Sequence, residues 1–517
     1  MPLHPISYLL PDDFDLQQLK SSFKESHGLR EEVPSKLKLT YYDSFDWRVW
    51  NAGGELHEEQ GSLNRLCWHS IKGRKEPLVQ VIDQSPGFVK DLPAGALADQ
   101  LASVLEMRVL QPKVHVIQQQ QTLALLDSEE KTVVRVVLEQ NSYASIDGKQ
   151  SGRLEGRIVL KPLKGYLSYF EKIVEYLKTM KLRNCGQSLY QDALQGAGIK
   201  PGDYSSKLNY RLDPYASADV TARQIMLDLL NTLEANVAGT KADLDSEFLH
   251  DLRVATRRTR SAMSQIKGVF DPQQLEPFKR GFGWIGQVTG PTRDLDVYLL
   301  KYDQYRASLP EALQGDLDPF YSYLLNHHKT EQAKLVKKLN SPHFRKLAKT
   351  WREWLEESRA DQENAPNASK ATAKLADKRI SKLYARVLKD GLAIGPDSPA
   401  EMLHELRKDC KKLRYMMEFF QSLYPKPAIR ELIKAVKVIL DNLGEFQDLE
   451  VQAHSLEDFG SEMLKEGAPA SALMAMGVLV GRLFERQANA REEFANLFAA
   501  FSSEGNQKAF RKLFGGA

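Results

Sequence analysis

The sequence predicts two folds in series: an α+β antiparallel, barrel-like domain, then an all-α bundle of two similar units packed against each other. Three observations lead there. Residues 1 to about 165 carry β-branched and aromatic runs with partial alternation, broken by Gly, Pro, Asp and Asn. From about residue 214 apolar residues recur at helical spacing. Within that second half, FLHDLRVATRRTRSAMSQIKGVF (248–270) returns without a gap 154 residues later as MLHELRKDCKKLRYMMEFFQSLY (402–424), and a duplication this regular folds as paired units.

In the first half, KLKLTYYDSFDWRVW, LNRLCWHSIK, VHVIQQQQTLALLD, TVVRVVLEQ and RLEGRIVLKPL read as strands, ALADQLASVLEM and LSYFEKIVEYLKTM as helices. Strands that follow one another without long helices between them argue for an antiparallel sheet, curled toward a barrel. Residues 181–213, with Gly196, Gly198, Pro201-Gly202 and Asp213-Pro214, punctuate the boundary. The apolar-periodic segment from Ser217 to Val237 opens the helical half. Helices follow at about 315–340 and 342–358, a polar linker at 359–374, and helices at about 426–443 and 468–501. The tail from Ser502 reads as short and frayed. Ser398, Pro399 and Glu401 read as a capping box that fixes the phase of the second repeated helix.

At 100° per residue, His250, Arg253, Arg257 and Arg260 fall within an arc of roughly 80°. Leu249, Leu252, Ala255, Ala262, Met263 and Ile266 form the opposite, apolar face. In the second copy His404, Arg407, Lys411 and Arg414 take the same places, and Arg258 becomes Lys412. A solvated helix face ordinarily mixes signs, because like charges at i, i+4 destabilise it. Two faces of one sign therefore point to an anion that offsets their repulsion. Arg forks, Lys point charges and an imidazole donor suit phosphate oxygens. Each row runs about 15 Å at 1.5 Å per residue, too long for one phosphate and suited to a chain of them. Only Tyr415 lies near either arc, so bases would find little to stack on. Asp294 and Asp448, matched across the repeat, read as acids that orient the arginines. His327 and His328 have no Cys, Asp or Glu at ligand spacing.

A length of 517 residues allows about three domains. The net charge of +3 makes any basic site local and disfavours general nucleic-acid coating. Cys67, Cys185 and Cys410 are widely spaced, odd in number and free of metal-ligand spacing, which fits a reducing compartment and implies no disulfide framework. With no apolar run near 18 residues and no basic leader, the expectation is a cytoplasmic protein without a membrane partner.

The paired HxxR-xxx-[RK][RK]-x-R helices, followed by GxxRDLDV (Gly290–Val297) and GxxQDLEV (Gly444–Val451), resemble the CHAD family over about residues 214–510, with repeats at about 214–358 and 370–510. The resemblance implies a two-fold pseudo-symmetric helical bundle whose basic cavity binds inorganic polyphosphate, and association with polyphosphate granules. By position, His250, Arg253, Arg257, Arg258, Arg260, His404, Arg407, Lys411, Lys412 and Arg414 would line that cavity, with Arg280 and Lys434 in a second tier.

Tyr41-Tyr42-Asp43, Arg48, Ala52-Gly53 and Trp68-His69-Ser70-Ile71-Lys72 resemble the CYTH domain, the tunnel-shaped β-barrel of triphosphate-processing enzymes, over about residues 1–195. The departures matter more. Where that family places metal-holding Glu-x-Glu-x-Lys, Pro5-Ile6-Ser7-Tyr8-Leu9 has no carboxylate. Glu55-Leu56-His57-Glu58-Glu59 stands where tunnel arginines are expected, Gln118 to Gln121 replace a basic strand, and only Glu155 remains of a late acidic one. Triphosphate hydrolysis needs metal and cations on the transferring group. The expectation is a degenerate barrel without catalysis, metal or cofactor, with Arg48 and Lys72 as structural remnants. The functional expectation is a non-catalytic polyphosphate-binding protein. The rival is a CYTH-type inorganic triphosphatase with an accessory CHAD domain.

Overall fold

The computed structural model describes residues 5–11, 13–61, 63–71, 76–208, 210–357 and 364–515, divided into two compact units, Met1–Ser205 and Ser206–Ala517. Lys72 lies outside the described residues, as do 358–363 at the start of the expected linker. Among the described residues no helix is long and apolar enough to cross a membrane.

The first unit runs β1 (Ile6–Leu10), α1 (Leu16–Ser26), β2 (Gly28–Glu31), β3 (Ser35–Asp43), α2 (Arg48–Asn51), β4 (Gly54–Gln60), β5 (Arg65–Ser70), β6 (Leu78–Val81), α3 (Ala96–Leu105), β7 (Gln111–Leu126), β8 (Thr132–Ser145), β9 (Ser151–Pro162), α4 (Leu167–Thr179) and α5 (Leu189–Gly196). Among the described residues the strands form one nine-stranded sheet in the order β1-β9-β8-β7-β3-β4-β5-β6, with β2 on β7. Every ladder is antiparallel, as the sequence predicts. Alternation along β3 serves both faces. Leu39 and Tyr41 join Val114, Val116 and the apolar side of α5, while Tyr42 joins Leu56, Leu66 and α3. The strand expected through residue 50 stops at Asp43. Its buried carboxylate accepts the backbone N–H groups of Ser44, Val49 and Trp50 at 2.7, 2.9 and 2.9 Å, folding the chain into α2. Arg48 is structural there, donating to Asp46, Glu106 and the Leu105 carbonyl.

The second unit is helical: α6 (Ala218–Ala242), α7 (Ser246–Gln265), α8 (Pro272–Val288), α9 (Gly290–Ser308), α10 (Glu311–Gln314), α11 (Asp318–Leu339), α12 (Pro342–Glu356), α13 (Thr372–Leu392), α14 (Ala400–Phe420), α15 (Lys426–Lys465), α16 (Ala470–Phe501) and α17 (Glu504–Phe514). Adding 154 to the first residues of α6, α7 and α8 gives the first residues of α13, α14 and α15. The start of α9 maps to Gly444, inside the 40-residue α15. Pro291, which has no N–H to continue the helix, is Glu445 in the second copy, so the break after Val288 closes there.

The repeats meet through their own equivalents. Ser217 forms an antiparallel bridge with Ala371, its counterpart 154 residues on. Ala218 N–H donates to the Lys370 carbonyl at 2.9 Å, and Thr372 N–H to the Ala216 carbonyl at 2.9 Å. Pairing of equivalent residues, with each bond returned, is what a local two-fold axis requires. One core takes side chains from both copies, including Leu229, Leu252, Phe282 and Trp351 with Leu383, Leu406, Ile439 and Phe498. The apolar face assigned to α7 is buried throughout.

Three details depart from the sequence reading. No capping box opens α14: Pro399 is the cap, and the Ser398 hydroxyl accepts instead from Gly395 N–H at 2.9 Å. The helix from Lys426 continues to Lys465 rather than ending near 443. The tail is not frayed. Ser503 caps α17, whose Phe510 and Phe514 are buried, with Phe510 stacked 3.7 Å from the Tyr384 ring.

Candidate polyanion site between the repeated basic helices

Helix α7 starts firmly because the Asp245 carboxylate accepts Glu247 and Phe248 N–H at 3.0 and 3.3 Å. Its apolar face is held in the core, and the same phase turns Arg253, Arg257 and Arg260 toward α8. Together with Thr256, Gly283, Gly286 and Gln287 they line a cavity of about 350 Å³. Arg257 and Arg260 are exposed there, whereas Arg253 is partly buried. Arg253 Nη1 is anchored on the Gly286 carbonyl at 3.0 Å and the Thr289 hydroxyl at 2.9 Å. Burial lowers its pKa, opposed by the charge of Asp294 and reinforced by Arg257 and Arg293.

The second row is anchored differently at the matching place. Arg407 donates from Nη1 to Gln447 Oε1 at 2.5 Å and from Nη2 to Asp448 Oδ1 at 2.9 Å. Thus Asp448 orients its arginine directly, while Asp294 acts on Arg253 through its charge. Both guanidiniums lie over equivalent glycines: a Cβ on Gly290 would stand 3.7 Å from Arg253 Nη1, and one on Gly444 3.6 Å from Arg407 Nη2.

The two rows meet at Lys411. Burial first, then the positive charges of Arg407, Arg257 and Arg414, depress its pKa to about 8, with Asp448 opposing. Arg257 sits on the other repeat and is the residue equivalent to Lys411, so the electrostatic crowding falls on the pseudo-symmetry axis. Helix α7 also touches α14 through Arg258, whose Nη2 donates to Glu418 Oε2 at 2.9 Å and whose Nη1 reaches the Ser206 carbonyl at 3.0 Å. Glu418 Oε1 lies 3.0 Å from Arg414 Nε, so one carboxylate holds a cation from each of the two helices.

The structure therefore sorts the expected residues. Arg253, Arg257 and Arg260 share a cavity, and Lys411 feels the charges of Arg407, Arg414 and Arg257. Arg258 donates to Glu418, and Lys412 to Asp409 at 2.6 Å. Arg280 is exposed on α8, on the stripe that carries Gly283 and Gln287, and Lys434 is exposed on α15. His250 Nδ1 accepts from Arg293 Nη2 at 3.1 Å, and since a guanidinium only donates, Nε2 carries the ring's N–H. His404, on α14, is half-buried. Arg293, Thr289 and Gln447 were missed by sequence reasoning, although Arg293 and Gln447 stand at the same place in the two quoted GxxRDLDV and GxxQDLEV motifs. His328 is not isolated from carboxylates: its Nε2 lies 2.8 Å from Asp296 Oδ1, and that bond raises its pKa. Tyr415, the one aromatic near a basic arc, is buried beneath the Arg414 guanidinium, 5.5 Å from its ring centre.

Fold and site define a duplicated helical bundle with cationic rows from both copies brought together at its axis. A family model described as "CHAD domain" matches residues 224–457, and the chain carries a CHAD domain there. Among solved structures, the CHAD domain from the plant Ricinus communis is 24% identical, with a TM-score of 0.49 over 57% of this chain and 95% of that one. PptA from Streptomyces chartreusis is 14% identical, with a TM-score of 0.41 over 55% and 99%. A putative adenylate cyclase from Bacillus halodurans is 11% identical, with a TM-score of 0.25 over 37% and 94%. Fold likenesses this distant carry no functional weight. No curated protein matches the chain.

Proposed function

We propose that this protein binds inorganic polyphosphate without catalysis, the polyanion lying between the rows of α7 and α14 and so associating the protein with polyphosphate granules in the cytoplasm. The observation that carries this reading is the meeting of Arg257 and Lys411 at the repeat axis. Burial, with the charges of Arg407, Arg257 and Arg414 added to it, brings Lys411 down to about 8, and keeping these cations together costs stability unless an anion offsets it. Arg253, Arg260, Arg407 and Arg414 extend the charge to either side, with His250 and His404 at the row ends and Arg280 and Lys434 as outer contacts.

The triphosphatase reading is less well supported. Strand β1 has no carboxylate, and the buried acids Glu55, Glu58 and Glu139 are hydrogen-bonded to Ser188, to Tyr42 and Ser85, and to Gln120. Burial raises the pKa of Glu55 and Glu139, which weakens them as metal ligands. RNA binding is disfavoured by the burial of Tyr415. The test is a competition over a salt series between polyphosphate and single-stranded RNA of equal charge, with phosphate release from triphosphate followed in Mg²⁺ or Mn²⁺. Tighter polyphosphate binding at every salt concentration and no release are expected; metal-dependent turnover would favour the rival.

Lys411 adds a pH dependence. A polyanion favours the charged amine, so affinity should fall as pH rises from 7 to 9, by up to about 10-fold, and the fall should vanish in Lys411→Arg. Unfolding does not mimic this trend. Because the folded pKa of about 8 lies below the ordinary lysine value of 10.5, the unfolded chain binds more protons in that window, and stability contributed by this group rises with pH.

A further inference from the structure

The β4–β5 hairpin of the first unit brings together a donor set that chain spacing conceals. His57 and Glu59 are two residues apart on β4 and share a face. The antiparallel register puts Cys67 directly opposite His57. One ligand atom from each of His57, Glu59 and Cys67 falls within 4.8 Å of the other two. His57 and Cys67 are 7% and 3% exposed.

Two further features mark this as more than polar packing. Among the described residues His57 Nδ1 is buried with no hydrogen-bond partner, although a buried imidazole nitrogen ordinarily has one. Arg65 Nη2 holds Glu59 Oε2 at 2.7 Å, which leaves Oε1 facing His57 Nε2 at 3.4 Å. The His69 ring stacks on His57 with centroids 5.1 Å apart.

We propose that His57, Glu59 and Cys67 form a zinc-class divalent metal site, with a fourth position open beside His69. Imidazole, thiolate and carboxylate are zinc ligands, whereas Mg²⁺ and Ca²⁺ take oxygen sets. Tetrahedral zinc spaces its ligand atoms by about 3.3–3.8 Å, so the set closes by about 1 Å at its widest pair. Cys67 would bind as the thiolate, its S–H proton leaving to solvent as the metal–sulfur bond forms. The His69 ring, stacked on His57, stands beside the open position.

The test uses the full chain, stripped with a chelator under a non-thiol reductant and titrated with Co²⁺. One equivalent should give a thiolate-to-cobalt charge-transfer band that Zn²⁺ displaces. Cys67→Ser should abolish the band, His57→Ala should weaken affinity about 100-fold, and Cys185→Ser should change neither. Because Cys67 and His57 are buried, Glu59→Gln provides an independent arm, expected to retain the band with affinity about 10-fold lower. Absence of the band in the unaltered chain, its persistence in Cys67→Ser, or unchanged affinity in Glu59→Gln overturns the proposal.

Discussion

Charge reversal at the repeat axis, Arg257→Glu with Lys411→Glu, should weaken polyphosphate binding by about 1,000-fold or more. Each position removes a charge-assisted contact of about 1.5–3 kcal/mol and substitutes repulsion for attraction. The pair should couple, because Lys411 already feels Arg257. Stability should hold or rise, since the new carboxylates fall among cations that remain, Arg407 and Arg414 included. Arg258→Ala with Lys412→Ala is the control: these side chains are bound to Glu418 and Asp409, so binding should change by less than about 10-fold while thermal stability falls. Calorimetric titration and thermal unfolding of the same samples separate the two effects.

Ending the chain after Ser502 should abolish cooperative folding of the second unit. The cut removes Phe510 and Phe514, both 2% exposed, and uncovers Tyr384 and Phe501. Loss of a buried Phe costs about 3–5 kcal/mol, so the two approach the 5–15 kcal/mol that holds an average domain. Phe510→Ala alone should remain folded but lose about 3–5 kcal/mol in denaturant titration. A truncated chain with an unchanged unfolding transition would return α17 to the status of an appendage.

The duplication was legible because it is a property of sequence alone: a constant offset carried Arg257 onto Lys411 and Gly290 onto Gly444, and the helix starts keep that offset. The burial of Leu249, Leu252 and Met263 followed from helical phase. What the sequence could not carry was partnership. Nothing along the chain couples Arg258 to Glu418, 160 residues away, or sets Cys67 opposite His57, since strand register belongs to the hairpin. The tail was misread for a related reason. Its few aromatics suggest a weak helix until Tyr384 and Phe501 supply the surface they pack on. Ser398 offered a plausible cap, but the turn at Gly395 took its hydroxyl. Strands β2 and β6, four residues each, are too short to show a period and owe their form to the neighbours they pair with.

Lys411 offers the most direct reading of where the polyanion lies. With a pKa of about 8, it should react near pH 8 with an amine-acylating reagent faster than ordinary surface lysines, in a peptide-resolved mass measurement. Saturating polyphosphate should slow that reaction by about 10-fold or more, by covering the amine and by holding it protonated, while Lys434 and other outer lysines change less. Acylation of Lys411 at an unchanged rate, in a chain with polyphosphate demonstrably bound, would place the ligand elsewhere and contradict the account.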